Sequence, residues 1–132
     1  MRARICFVLL ASVLVCGGCQ KSKSTDELLA DLQSSQERDR IIAVRLLPQH
    51  KEDAAKIVPA MIKCLSDKEE DIRLSAAIGL GTFGEEAKPA IDGLQAAVND
   101  RDARVRRAAG VALSRIDPNL APKVEPRPQR GK

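Results

Sequence analysis

The side chains able to do nucleophilic, metal-binding or acid–base chemistry in this 132-residue chain are four cysteines, one histidine and 18 carboxylates. Cys16-Gly17-Gly18-Cys19 has no histidine or second cysteine pair near it, and Cys64 stands alone, so neither a zinc nor a redox arrangement is expected. His50 sits in the connector Pro48-Gln49-His50-Lys51-Glu52-Asp53, which reads as an exposed loop, and no serine or cysteine is placed to make it a general base. Carboxylates are abundant, yet a charged helix surface supplies them without any catalytic purpose. No glycine loop is built to cradle a phosphate. These residues predict no enzyme, no cofactor, no metal and no small-molecule substrate; catalysis by a shallow acidic surface is the weakest of the functions weighed.

The thiol with an assignable chemistry is Cys19. Met1-Arg2-Ala3-Arg4 is cationic and residues 5–15 are apolar apart from Ser12, an export signal too short to cross about 30 Å of hydrocarbon as a helix. Small residues then lead into Cys19, and this pattern resembles a bacterial lipobox, with Cys16 where an aliphatic residue is usual. The resemblance implies a diacylglycerol thioether on Cys19, cleavage after Gly18 and acylation of the new amino terminus. A lipid chain contributes about 0.8 kcal/mol per buried methylene, so such an anchor would be durable. Gln20 rather than aspartate follows the cysteine, which resembles the pattern passed on to the outer membrane. Ordinary secretion and an uncleaved apolar tail are the alternatives. Cys64, in Ile62-Lys63-Cys64-Leu65, is expected to be a partly buried small apolar side chain.

The charge is distributed unevenly. The net charge is +4, but between Asp26 and Ile116 14 Lys and Arg stand against 16 Asp and Glu, so the excess is on the flanks. A cationic folded face of the kind that binds nucleic acid is therefore not expected.

What must position any binding residue is a repeat. Sliding the chain by 33 residues superimposes Arg40, Ala43 and Leu47 on Arg73, Ala76 and Leu80, and these on Arg106, Ala109 and Leu113. Ser34, Asp67 and Asp100 fall at one position just before these helices, each able to accept a first-turn amide hydrogen. Ser34 with Glu37 and Asp67 with Glu70 have capping-box spacing. Leu32, Leu65 and Val98 close the preceding helices. Apolar residues at helical spacing predict helices over 26–33, 37–47, 53–65, 70–80, 87–98 and 103–116. Pro89 fits a first turn, Pro59 is expected to bend its helix, and Gly81 and Gly84 are expected to close theirs around Phe83, an inter-helix plug. Stacked antiparallel pairs would bury a core of Leu, Ile, Val and Ala.

The run from Asp71 to Gly84, continued by Ala87-Lys88-Pro89-Ala90-Ile91 and by Asp100 to Ala109, resembles the HEAT family, especially its short PBS-lyase-like type. The resemblance covers about residues 26–116 and implies an all-α superhelix of about three repeats, with a divergent first repeat in which Asp39 stands where Ile72 and Val105 stand later. It also implies that Arg40, Arg73 and Arg106 form a structural ridge, with Asp67 and Asp100 as partners. Lyase activity is not implied, because no residue specifies a bilin site.

The organisation expected is a signal peptide over 1–18, a lipidated cysteine and polar tether over 19–25, the repeat domain over 26–116, and a basic, proline-rich tail over 117–132. The tail is expected to be extended, and its Lys123, Arg127, Arg130 and Lys132 to solubilise or to touch anionic headgroups. The function expected is a membrane-tethered protein-binding or scaffold module of the cell envelope, at the cell or outer membrane, with an unidentified envelope protein as partner. The alternative is an accessory subunit that stabilises an envelope enzyme or transporter. Arg101, Arg104, Arg107 and Arg115 make the last helix pair the most cationic part of the domain and are the candidate contact residues.

Overall fold

The computed structural model describes residues 23–120; the apolar amino-terminal run, Cys19 with its lipobox-like sequence, and the tail from residue 121 lie outside the described residues. Within them the chain forms six α-helices: α1 (Thr25–Asp31), α2 (Glu37–Leu46), α3 (Ala54–Cys64), α4 (Glu70–Phe83), α5 (Ile91–Ala97) and α6 (Ala103–Ile116). They make three pairs, α1–α2, α3–α4 and α5–α6, stacked side by side as a short all-α solenoid, with no strand among the described residues. Each pair is a hairpin with a short loop. The second members, α2, α4 and α6, lie next to one another, and α4 packs most extensively against α6.

The core follows the apolar stripes. Leu28, Leu47, Ile57, Met61, Ile72, Leu80, Leu94 and Val105 are wholly buried, joined by Ala43, Ala76, Ala77, Ala87, Ala90 and Ala109. Burying one such large aliphatic side chain stabilises a fold by roughly 1.5–3 kcal/mol, and the alanines between them let helix backbones approach. Glycines stand where neighbours come close: a Cβ added at Gly79 would collide with the Met61 and Pro48 side chains, one at Gly81 would lie 3.1 Å from the Cα of Ala112, and one at Gly93 3.1 Å from Leu65 Cδ1. Phe83 is buried at the end of α4, in the core as a plug should be.

Several sequence expectations shift. The N-cap positions are not Ser34, Asp67 and Asp100 but Gln36, Glu69 and Asp102, two positions on, and of these three Asp102 alone caps with its side chain, accepting from Arg104 N and Val105 N. The earlier side chains instead close the loop ahead of each helix, accepting hydrogen bonds from Gln36 N (3.1 Å), Glu69 N (3.0 Å) and Asp102 N (2.8 Å). A turn closed this way draws the backbone around the carboxylate or hydroxyl, so the helix starts later than a simple N-cap would place it. The capping boxes expected at Ser34 and Asp67 are accordingly absent, and one forms at Ser24 and Glu27, at the head of α1. Leu32, Leu65 and Val98 do cap the ends of α1, α3 and α5.

The end of α4 and the start of α5 differ for a backbone reason. Gly81 lies inside α4, which runs on to Phe83 and ends at Gly84 with φ 55° and ψ −128°, a conformation glycine adopts without a Cβ clash. From there residues Gly84–Ala90 form a 3-10 helix containing Pro89, so α5 begins at Ile91 rather than at residue 87. Proline lacks the amide that an α-helix would need there. Pro59 stays within α3, on its exposed side.

Candidate protein-interaction surface

The hairpin loops lie along one edge of the stack, and arginines stitch them together. Arg73, 5% exposed, donates from Nη1 to the carbonyls of Asp67 (2.9 Å) and Lys68 (3.0 Å) in the loop of its own repeat. Its other edge reaches the next repeat, with Nε 2.8 Å from Asp100 Oδ2 and Nη2 3.0 Å from Asp100 Oδ1. Arg40 does the same one repeat earlier, to the carbonyls of Ser34 and Ser35 and to Asp67 at 3.2 and 3.4 Å. Charge-assisted forks of this kind fix register as well as adding energy. The hydrogen bond from Arg73 holds the Asp100 carboxyl below its ordinary value, against the burial that would raise it. Arg106 bonds only the loop carbonyls of Asp100 (2.8 Å) and Arg101 (3.1 Å) and has no aspartate partner among the described residues, which departs from the ridge expected of it.

The four candidate contact arginines separate into two groups. Arg104, Arg107 and Arg115 line a groove of about 290 Å³ between α4 and α6, whose floor includes Leu74, Ile78 and Val111. Arg101 is elsewhere: its Nη2 donates to the carbonyl of Lys68 at 2.9 Å, bridging two hairpin loops. Arg104 is engaged by carboxylates on both sides, 3.1 Å from Asp71 and 3.1 Å from Asp102, and its hydrogen bond holds the Asp102 carboxyl low. Arg107 and Arg115 have no carboxylate partner among the described residues, so the unbalanced positive charge on the groove is theirs.

Three large aliphatic side chains are exposed among the described residues: Ile78 at 51% and Val111 at 46%, which line this groove, and Ile42 at 41%, on α2. Ile78 also borders a second groove, toward α2, lined by Val44, Arg45, Pro48 and Thr82. Sequence reasoning missed these aliphatics as contact residues because each falls just off the buried stripe of its helix. Ile78 and Val111 are nevertheless one repeat apart, and an apolar pair recurring outside the stripe was the available signal.

The other chemistry-bearing residues do not converge. His50 stands between two 3-10 turns, Leu47–Gln49 and Lys51–Asp53, half-buried rather than exposed, with Nδ1 3.6 Å from Glu52 Oε1. Cys64 is buried, 8% exposed, and burial together with the nearby Asp67 charge pushes its thiol up to about 11. Among the described residues no group of His, Cys, Asp and Glu is placed to hold a metal ion, and no helix is long and apolar enough to cross a membrane.

Comparison with known proteins agrees with this architecture. The family profile described as HEAT repeats matches residues 25–114, spanning all six helices up to the last turn of α6. Among solved structures, a chain from the complex of CpcE and CpcF of phycocyanin lyase from Nostoc sp. PCC7120 superimposes with a TM-score of 0.69 at 27% identity over 80% of this chain. The match spans 42% of that chain's length. A search of curated proteins gives no match. The 33-residue period, the arginine stitch at each hairpin loop and the profile match together make this chain a member of the HEAT-repeat family, structurally related to the PBS-lyase HEAT-repeat proteins.

Proposed function

We propose that the chain is a protein-binding module whose contact surface is the α4–α6 groove, and that the groove takes an acidic amphipathic helix of an envelope protein. The observation that carries this is the combination of an apolar floor containing the exposed Ile78 and Val111 with a rim on which Arg107 and Arg115 lack carboxylate partners. A helix with leucines on one side and glutamates flanking them would bury the floor and neutralise the rim. No nucleophile or base lines the groove, which supports a binding role for it. The lipobox-like sequence at Cys19 supports tethering of the domain to a membrane. From Cys19 to Ser24 the chain reaches at most about 18 Å at ~3.6 Å per residue, so the solenoid would work close to the lipid surface.

The test is binding of a fluorescein-labelled helical peptide with Leu at i, i+4 and Glu beside them, against the same peptide with Lys for Glu. Micromolar binding of the acidic peptide alone, weakened at least about tenfold by Arg107→Glu with Arg115→Glu, supports the reading. Equal affinity for both peptides, or none for either, overturns it. Pull-down from envelope extract with the same reversed pair then asks which native protein depends on the groove.

The second reading, an accessory subunit that stabilises an enzyme, is favoured by one observation: the matched structure is a complex of two proteins of a lyase. It predicts one tight partner that loses activity when this chain is removed, rather than affinity for acidic helices in general.

A further inference from the structure

The arginine stitch is a repeating device whose last position is unfilled among the described residues. Each of the three arginines has a loop half and a forward half. The loop half, Nη1 on two carbonyls, is present at Arg40, Arg73 and Arg106 alike. The forward half is filled by Asp67 for Arg40 and by Asp100 for Arg73, each 27 residues ahead. At Arg106 it meets no carboxylate among the described residues, although the loop half already holds the guanidinium in the filled geometry. Arg106 is exposed where Arg40 and Arg73 are buried.

The sequence that follows α6 does not continue the pattern of the repeats. In the repeat register Lys123, Arg127 and Arg130 fall where Ala90, Leu94 and Ala97 are buried in the third repeat. Three cations thus stand at core positions, with Pro118, Pro122, Pro126 and Pro128 among them, so the apolar stripe of a leading helix is not repeated in the sequence there. A second copy of the chain is no better. At its leading end the position of Asp67 is held by Ser34, whose hydroxyl is occupied by Asp39 at 2.9 Å and by Gln36 N at 3.1 Å.

We infer that Arg106 is an open carboxylate-docking site, filled by an aspartate in the hairpin loop of a different, acidic helical protein that stacks on α5 and α6 and continues the solenoid. Both filled positions define the acceptor. In each, the carboxylate is steadied by an amide two residues on, Glu69 N or Asp102 N, and so is presented by a closed turn at the head of a helix. The face to be covered is also altered toward an acidic complement. Arg107 stands where Leu74 packs between repeats, and Gln95 where Ile62 faces Gly93. A partner hairpin therefore meets two adjacent arginines at a joint that is apolar inside the stack. Arg106 lies outside the lining of the groove, although its neighbour Arg107 borders both, and the inference rests on the stitch at Arg106.

The test is site-specific photocrosslinking of the full chain in its native host, with a benzophenone side chain at Gln95. The expected adduct is with one different protein, through a peptide that joins two helices and contains an acidic residue. Arg106→Ala and Arg106→Lys should each reduce the adduct about tenfold or more, because neither preserves the two-pronged fork, while Arg38→Ala leaves it unchanged. Because Arg106 is exposed, its variants should melt within a few degrees of the parent, and exchanging charges between Arg106→Asp and the crosslinked acid changed to Arg should restore the adduct. An adduct with a second copy of this chain, an adduct indifferent to both Arg106 variants, or no adduct at all would overturn the inference.

Discussion

Arg73 and Asp100 form a two-pronged ion pair across the joint between the second and third repeats, with side chains 6% and 10% exposed and a shortest separation of 2.8 Å. The equivalent pair of Arg40 with Asp67 is looser and wetter, at 3.2 Å with side chains 10% and 18% exposed. The difference orders the energetic consequences of breaking each.

Arg73→Ala should lower stability by about 3 kcal/mol, since it strands a buried carboxylate and two loop carbonyls. Arg40→Ala should cost less, roughly 1–2 kcal/mol, and Arg106→Ala under about 1 kcal/mol because its side chain is exposed. Urea denaturation of the three variants checks the order. A cost for Arg106→Ala equal to that of Arg73→Ala would mean that the loop bonds, and not the inter-repeat fork, carry the stability.

Acid should unlock the same joint. The Asp100 carboxyl is held below its ordinary 3.8, so its contribution is complete above that pH and is lost as pH falls through the lower folded value. Melting temperature followed from pH 5 down to about 2 should fall more steeply for the parent than for Asp100→Asn, which is less stable at neutrality but has no such proton to take up. Parallel acid limbs would exclude this carboxyl as a contributor.

Cys64 should behave as a latent thiol. With its folded value near 11 against an ordinary 9.0, little thiolate exists at pH 8, and the side chain is sealed from solvent. Iodoacetamide labelling of a Cys19→Ser chain lacking the signal should therefore be at least about 100-fold slower than in denaturant, and should track unfolding. Labelling at the denatured rate under native conditions would show that the α3 end opens freely.

Two glycines should fail for different reasons when changed to alanine. At Gly84 nothing lies within 4 Å of the added Cβ, so the expected cost of ~1–3 kcal/mol comes from forcing a side chain into positive φ. At Gly81 the φ is ordinary and the helix would welcome alanine, but the new methyl lies 3.1 Å from Ala112 Cα and must push α6 away. Gly84→Asn should recover part of the first loss because asparagine tolerates positive φ, whereas Gly81→Asn should be worse than Gly81→Ala. Thermal melts of the four variants separate the two causes; recovery at Gly81 and none at Gly84 would reverse the assignment.

The fold was readable because period and chemistry coincided. A leucine or valine ended each leading helix, an arginine opened each following one, and the stripes between them gave all six helices. The boundaries at Gly84–Ala90 were less legible, because proline at a first turn and proline in a 3-10 helix leave the same trace in sequence. Asp67 and Asp100 pair with Arg40 and Arg73 as expected, but their backbone bond was misassigned, since a capping aspartate and a loop-closing one differ by two residues and by where the backbone turns. Arg101 and Arg104 look interchangeable in a row of charges. Only the packing of α6 on α4 shows that one is fastened to a loop carbonyl and the other sits on a groove.

The buried arginine stitches run along the hairpin-loop edge, whereas the opposite edge is joined by an exposed ion pair, Lys56 with Asp26 at 3.4 Å, and by packing of the Gly84–Ala90 turn on α3 and α6. The stack is thus riveted on one side like the sticks of a fan. The order of the repeats is set by those buried pairs, while the channel beside Ile78 is bridged by the exposed pair of Arg104 with Asp71, which any spreading of α4 from α6 would stretch.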